Sequence, residues 1–568
     1  LLKNILQKIV PEKMTNKRAF CYFALVSLLL ILPQLLTRSM VISSDSLFHF
    51  NRFYDVSQQI QEGNFQYFIN MYGFQQSGRV VNALYGALMG YLQGLLVWLS
   101  PSWFGYQLLS NFLLFFLASS AMFLLLKKCQ VKSNQAVAFS IFYVTTYSIQ
   151  YWVIRQGFSS WGAALFPLCL IPVVTLLTQH KLKVLETGFF VALMAQVHLF
   201  STVLLVIIYL CSFIFVIFKD KQQAKDLFSA AIRAVLVFIL LTLNIWYSFY
   251  ELYTHNEILP PFINQTIYFN TITSHSSHWI TNSWLLVVII PTITFFSIYH
   301  WRALASFDRF LLIAALGFLA AATNLVPWKF LSEKDLAIVN LIQFPFRFVV
   351  PATVLFIILL ARHYSQLGKY ANKFLLPLLS LVLIQALTLS AVECQAWQTK
   401  DDPFKSGKHT YLMSDDPTLA KEAFFSADKQ VALKLMQKST PDYVPIYRQS
   451  KNNKYDQYAI NIIFENDNFV KEVVDKKLVI QWTGQENQTI NLPVVVYQNT
   501  QLTLNGKELT HADLKLSEIG TPTFENHAGE NNLVVSYPYP KYFIAVLLLS
   551  LTLLILLAAY ILYDLLKN

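Results

Sequence analysis

Long apolar runs with at most one charge alternate along the chain with polar connections, most of them short. A helix rises 1.5 Å per residue and bilayer hydrocarbon is about 30 Å thick, so about 20 apolar residues make one crossing, or about 15 in a short or distorted one. Runs of this kind stand near 19–37, 106–126, 135–153, 161–178, 184–198, 200–218, 228–248, 283–300, 310–326, 345–361, 374–391 and 541–563. Basic residues gather in alternate connections: Lys127, Lys128 and Lys132; Lys181 and Lys183; Lys219, Lys221 and Lys225; Arg302 and Arg309; Arg362, Lys369 and Lys373. The positive-inside rule makes those connections cytoplasmic. The expected architecture is an α-helical polytopic membrane protein of about twelve transmembrane helices, both termini inside, with an external C-terminal α+β or β-sandwich domain.

Two runs are fitted to this scheme by their basic flanks. Val81 to Leu99 is apolar enough to cross, but a crossing there would put the Lys127 cluster outside. It is therefore read as an interfacial or re-entrant helix within a long first external loop, 38–104. The stretch 184–218 carries cytoplasmic signals at both ends and must turn back in the middle, which puts His198 at an outer apex between two short helices.

The expected domains are a membrane domain over 1–391, a β-rich extracytoplasmic domain over 392–540, and a last helix with a short cytoplasmic tail over 541–568. Within the middle domain, Pro417 to Gln437 has helical spacing. Ala459 to Phe464, Leu478 to Trp482, Leu492 to Tyr497, Gln501 to Leu504 and Leu533 to Tyr537 alternate as strands do. Asn505-Gly506 signals a hairpin. The membrane part carries no transporter-like inverted repeat.

Composition agrees with lipid as a solvent: 55% of residues are apolar, 15% aromatic and 13% charged, against about a quarter charged in ordinary chains. The net charge of +11 comes from clusters between apolar runs, which are topology signals and not a nucleic-acid surface. Five cysteines without CxxC spacing imply neither a disulfide framework nor a zinc site. Lys3, Lys8, Lys13, Lys17 and Arg18 precede the first run as in a signal peptide. No small-residue cleavage site follows Leu36, so that run is expected to stay as an anchor.

Candidate chemistry stands where runs end on the outer side. In Asp45-Ser46-Leu47-Phe48-His49-Phe50-Asn51-Arg52, helical spacing places Asp45, His49 and Arg52 on one face, toward an aqueous pocket, and Leu47, Phe50 and Tyr54 on the other, toward lipid. The plain alternative is that Ser44 or Asp45 caps a helix and Arg52 meets lipid headgroups. Arg155, His198 and Arg347, the last within Gln343-Phe344-Pro345-Phe346-Arg347-Phe348, also end runs. Guanidinium forks suit a phosphate; equally, Arg155 snorkels and Arg347 pairs with Glu333 or Asp335. His275 and His278 form a weak HxxH metal signal.

These residues resemble motifs of the GT-C superfamily of polyprenyl-phosphate-sugar glycosyltransferases, and within it the bacterial YfhO-like and 6-pyruvoyl-tetrahydropterin-synthase-related membrane proteins. Asp45 to Arg52 is similar to the family's DxxFHxxR after the first span. Gln343 to Phe348 is similar to QFPWRF, with Phe346 in place of Trp. Pro441-Asp442-Tyr443-Val444-Pro445 resembles its external DYLP segment; Asn505-Gly506-Lys507, Gly529-Glu530-Asn531-Asn532 and the last span resemble its C-terminal β-domain. The resemblance implies an inverting transfer in the bacterial plasma membrane, from a polyprenyl-phosphate sugar donor to a cell-envelope glycan or teichoic-acid-type acceptor. It makes Asp45 the general base, with His49 and Arg52 orienting it or the acceptor. Arg347, Arg155, His198 and Gln343 fall around the donor phosphate. With no DxD or DD pair, no obligatory metal is expected. A non-catalytic glycan-binding scaffold and a lipid-linked-sugar transporter are the alternatives.

Overall fold

The computed structural model describes residues 15–43, 45–272, 283–367, 371–400, 408–485 and 488–567. It is mostly helical, with small sheets toward the C-terminus. Among the described residues eight helices are long and apolar enough to cross a membrane: Asn16–Thr37, Trp103–Lys128, Ser133–Arg155, Ser159–Gln179, Leu199–Lys219, Pro345–Gln366, Lys373–Thr399 and Phe543–Ile561. A further pair, Lys221–Leu241 and Leu243–His255, is long and apolar enough only when taken together and meets at 66°, the shape of a broken span or a re-entrant loop. At the bend, Thr242 turns its hydroxyl back onto the Phe238 carbonyl at 2.7 Å, a bond that competes with the helical ladder.

The other expected crossings are short helices, Val184–Val197 with 14 residues, and Trp284–Tyr299 and Ser306–Ala321 with 16 each. Ala87–Leu99 has only 13 residues and spans about 20 Å, too little to cross. It packs along Ser46–Glu62, and the two approach closely because Gly94 has no side chain: a Cβ there would lie 2.4 Å from Val56 Cγ1. His198 ends one helix and caps the next, accepting the Ser201 amide at 3.3 Å, so the stretch 184–218 does break there.

The helix expected to end at 391 runs on to Thr399. Beyond it a five-stranded antiparallel sheet has the order Val470–Val474, Lys477–Gly484, Gly529–Ser536, Gln501–Leu504, Lys507–Leu509. Asn505 and Gly506 turn its hairpin at φ 48° and 83°, the left-handed geometry that this pair accepts. A second sheet joins Thr489–Asn491, Pro522–Glu525 and Lys515–Leu516.

Two sequence expectations fail in this domain and a third, the helical one, holds for most of its length. Pro417 to Gln437 is two seven-residue helices and then a strand, Met436–Lys438, paired with Thr410–Leu412. Ala459 to Phe464 is helical, since Tyr458, Ile462 and Ile463 all bury one helical side. Leu492 to Tyr497 is buried yet belongs to no ladder. Its amides bond to loops, Val495 to the Ser77 carbonyl at 2.7 Å and Val496 to that of Gly520 at 2.9 Å.

A clasp joins this domain to the first loop. Arg79, fully buried, donates to Thr440 Oγ1 at 3.3 Å and to the Asp442 carbonyl, with its guanidinium 4.5 Å over the Phe74 ring. Lys471 Nζ donates to the Gln75 and Pro493 carbonyls at 2.8 and 2.7 Å. On its other side, Tyr443 to Ile446 pairs with the chain that follows the bent pair, through Leu259 N to Val444 O at 2.9 Å and Ile446 N to Glu257 O at 2.7 Å.

Candidate functional site

The strand leaving the first helix is fixed before it reaches Asp45. Gln107, buried in Trp103–Lys128, receives the Val41 amide at 3.0 Å and donates to the Val41 carbonyl at 2.9 Å, a two-point grip on the backbone. Gln34 donates to Gln107 Oε1 and accepts from Asn111 Nδ2 at 3.1 Å, which extends this polar network between the helices.

Asp45 stands at the N-cap position of Ser46–Glu62 but makes no side-chain cap bond. Instead Ser46 Oγ accepts the Ser43 amide at 2.9 Å. Solvent reaches the Asp45 side chain while protein surrounds it. That enclosure raises its carboxyl above the ordinary range, and the Lys438 and Arg347 charges pull it back. Ser44, the other candidate cap, lies outside the described residues, as do His275 and His278.

His49 and Arg52 do not share Asp45's environment. His49 is buried among rings, stacked on Phe158 at 5.0 Å and Phe53 at 5.6 Å, with Trp152 at 5.8 Å. Burial, then the Arg52 charge, holds its imidazole well below its usual pKa, hence neutral. Arg52 is fully buried: Nε donates to Asn82 Oδ1 at 3.1 Å, Nη2 to the Tyr85 carbonyl, and the guanidinium lies 4.5 Å over the Tyr85 ring. Burial pulls Arg52 to about 10, so it remains a cation at neutral pH. The opposite face of the helix meets protein and not lipid, with Phe50 stacked on Trp103 at 4.5 Å. The expected division into a wet polar face and a lipid-facing aromatic face is therefore wrong, because Tyr85, Trp152 and Phe158 cover His49 and Arg52 while Trp103 and Tyr106 cover Phe50.

Arg347 opens the crossing Pro345–Gln366. Its Nη1 donates to Gln343 Oε1 at 3.0 Å and to the Ile342 carbonyl at 3.2 Å, and its guanidinium lies 5.0 Å over Phe344 and 5.1 Å over Phe200. Among the described residues it forms no ion pair, so the pairing with Glu333 or Asp335 is not made; Asp335 instead accepts from Asn340 at 2.8 Å. The carboxylate within its electrostatic reach is Asp45. Gln343 is held at φ 57°, a left-handed conformation costly for a side-chain-bearing residue, by its carbonyl accepting from Asn264 at 2.7 Å and its Nε2 donating to the Phe262 carbonyl at 2.6 Å. His198 bonds Ser201 through Nδ1 at 2.8 Å and lies within electrostatic reach of both Arg347 and His49. Arg155 ends Tyr147–Arg155; its charge and that of Arg347 both reach Tyr151.

Two further groups come from the large domain. Lys438, at the end of Met436–Lys438, and Asp442, four residues on, both act on Asp45 or are acted on by it. Burial, more than the Asp45 charge, pushes Asp442 up to about 6, against the opposing Arg79 and Lys438 charges. Lys438 is pulled down by burial and supported by both carboxylates. The Pro441–Pro445 segment was the sequence's only pointer to them, since most of the chain separates them from Asp45.

The chain thus forms a helical assembly compatible with a multi-pass membrane protein, whose first loop and large domain close over one end and bring two carboxylates and two cations together there. No protein-family model matches it, and neither does any curated protein or solved structure. Among the described residues no group of three His, Cys, Asp or Glu is placed to hold a metal ion.

Proposed function

We propose that the chain is an inverting glycosyltransferase that moves a sugar from a polyprenyl-phosphate donor to a hydroxyl of a cell-envelope glycan or teichoic-acid-type polymer. The observation that carries the reading is Asp45: a carboxylate at a helix start that caps nothing, is reached by solvent, and faces two cations. In the reaction its oxygen takes the proton of the acceptor hydroxyl as that oxygen attacks the anomeric carbon. The bond from that carbon to the phosphate oxygen breaks, and polyprenyl phosphate leaves with the electron pair. Arg347 stands where a membrane crossing begins, the depth at which a lipid phosphate sits, and its fork suits the charge that grows there. Lys438 supplies the second positive charge from the domain side. Arg52, tied to Asn82 and Tyr85, and His49, neutral and caged, act by holding the helix that carries Asp45.

The test is turnover of the purified protein, in liposomes, with a panel of polyprenyl-phosphate sugars and envelope-glycan acceptors. Release of polyprenyl phosphate matched by glycosylated acceptor is the expected result. Binding of glycan without release, across the panel, would mark a scaffold.

A further inference from the structure

The two short helices before Gln343 present an apolar surface that no part of the described chain covers. Trp328–Glu333 and Ala337–Ile342 are six-residue helices between the helix that ends at Ala321 and the long apolar helix that begins at Pro345. Each anchors one side inward. Trp328 stacks on Phe348 at 6.0 Å and donates to the Ala321 carbonyl at 3.1 Å, while Val339 and Ile342 are buried. The other sides expose large apolar groups, Leu325 at 81%, Phe330 at 56% and Ile338 at 54%, beside Phe269 at 73% from the preceding loop. That loop is pinned to the helices by Ile272 N to Ala322 O at 2.8 Å and by the Asn264 bond to Gln343.

In water such a surface would be costly, since each exposed large apolar side chain forgoes the free energy of its burial. The chain's connectivity says what covers it. Both ends of the segment enter apolar helices within a few residues, so it cannot leave the membrane surface. The exposed groups continue the outward apolar faces of the neighbouring helices, where Val288, Phe295 and Ile313 are also uncovered. Lys329 and Lys334, exposed beside Phe330, fit the headgroup level.

We infer that the apolar side chains of this platform, Leu325, Phe330, Ile338 and Phe269, dip into the hydrocarbon of the membrane leaflet on the large-domain side, with Lys329, Glu333, Lys334 and Asp335 at its headgroup level, the occupant being the acyl chains of that leaflet. Gln343 and Arg347, which follow directly, then lie at the level of lipid phosphates whether or not the chain is an enzyme.

Photolabelling of the full-length protein in liposomes tests this, using phosphatidylcholine with a diazirine on one acyl chain and peptide mapping of the adducts. Adducts are expected on 325–341 at the level seen on Trp284–Tyr299, and about tenfold above those on Gln501–Leu504. The double variant Phe330→Glu, Ile338→Glu, checked for unchanged labelling of the crossings, should lose the adducts on 325–341. Adducts confined to the crossings would overturn the inference, as would cross-linking of these residues to a second copy of the chain in place of lipid.

Discussion

Asp45 and its neighbours set the pH behaviour of the proposed reaction. Enclosure raises the Asp45 carboxyl while Lys438 and Arg347 lower it, and only the ionised form accepts a proton. The rate should therefore fall as pH drops through the raised Asp45 pKa, and be retained above it. Lys438→Met removes one lowering charge, so the acidic limb of kcat/KM should move to higher pH with the melting temperature unchanged; a limb that stays in place would remove Lys438 from the site. Arg347 carries a different expectation. Arg347→Lys keeps the charge but loses the planar guanidinium, whose Nη1 is held by Gln343, and should raise KM for the phosphate-linked donor by about tenfold or more, one or two hydrogen bonds to a charged group. Loss of stability with donor kinetics unchanged would make the arginine a structural group instead.

At the scale of elements, the first loop depends on a residue that sequence spacing passed over. Asp55 is fully buried and accepts four bonds, from the amides of Tyr72 at 2.8 Å and Gly73 at 3.1 Å and the side chains of Asn70 at 2.8 Å and Gln59 at 2.7 Å. It ties Ser46–Glu62 to the loop that leads into the Arg79 clasp. Asp55→Ala should strand these donors, cost about 3 kcal/mol, and speed amide exchange over 64–80; unchanged exchange there would show that the clasp holds the loop without it. Nothing in the sequence distinguished Asp55 from Asp45, because both sit in one amphipathic stretch and the difference lies in which donors the loop folds back. The bend at Thr242 was equally hidden inside an even apolar run. By contrast, the break at His198 was legible from the basic residues at both ends of 184–218, and the exclusion of Val81 to Leu99 from the crossings from the side on which the Lys127 cluster must lie. Ala459 to Phe464 misled because its apolar residues suit either period, and the Tyr458 contact with Arg79 selects the helix.

For the molecule as a whole, the apolar runs announced the helical class, and eight of twelve expected crossings appear as helices of sufficient length. The meeting of Asp45 with Lys438 and Asp442 was not readable from spacing, since it depends on the Arg79 and Tyr443–Ile446 contacts that fold the large domain over the first loop. The account's central claim is that this meeting point transfers a sugar with Asp45 as base. Asp45→Asn is the most direct measure, because the side chain makes no cap bond and the amide keeps its shape without its basic oxygen. In the liposome assay with a polyprenyl-phosphate sugar, the variant should lose transfer by at least about a hundredfold, the scale of general-base catalysis, with the wild-type melting temperature. Wild-type turnover in Asp45→Asn would contradict the account.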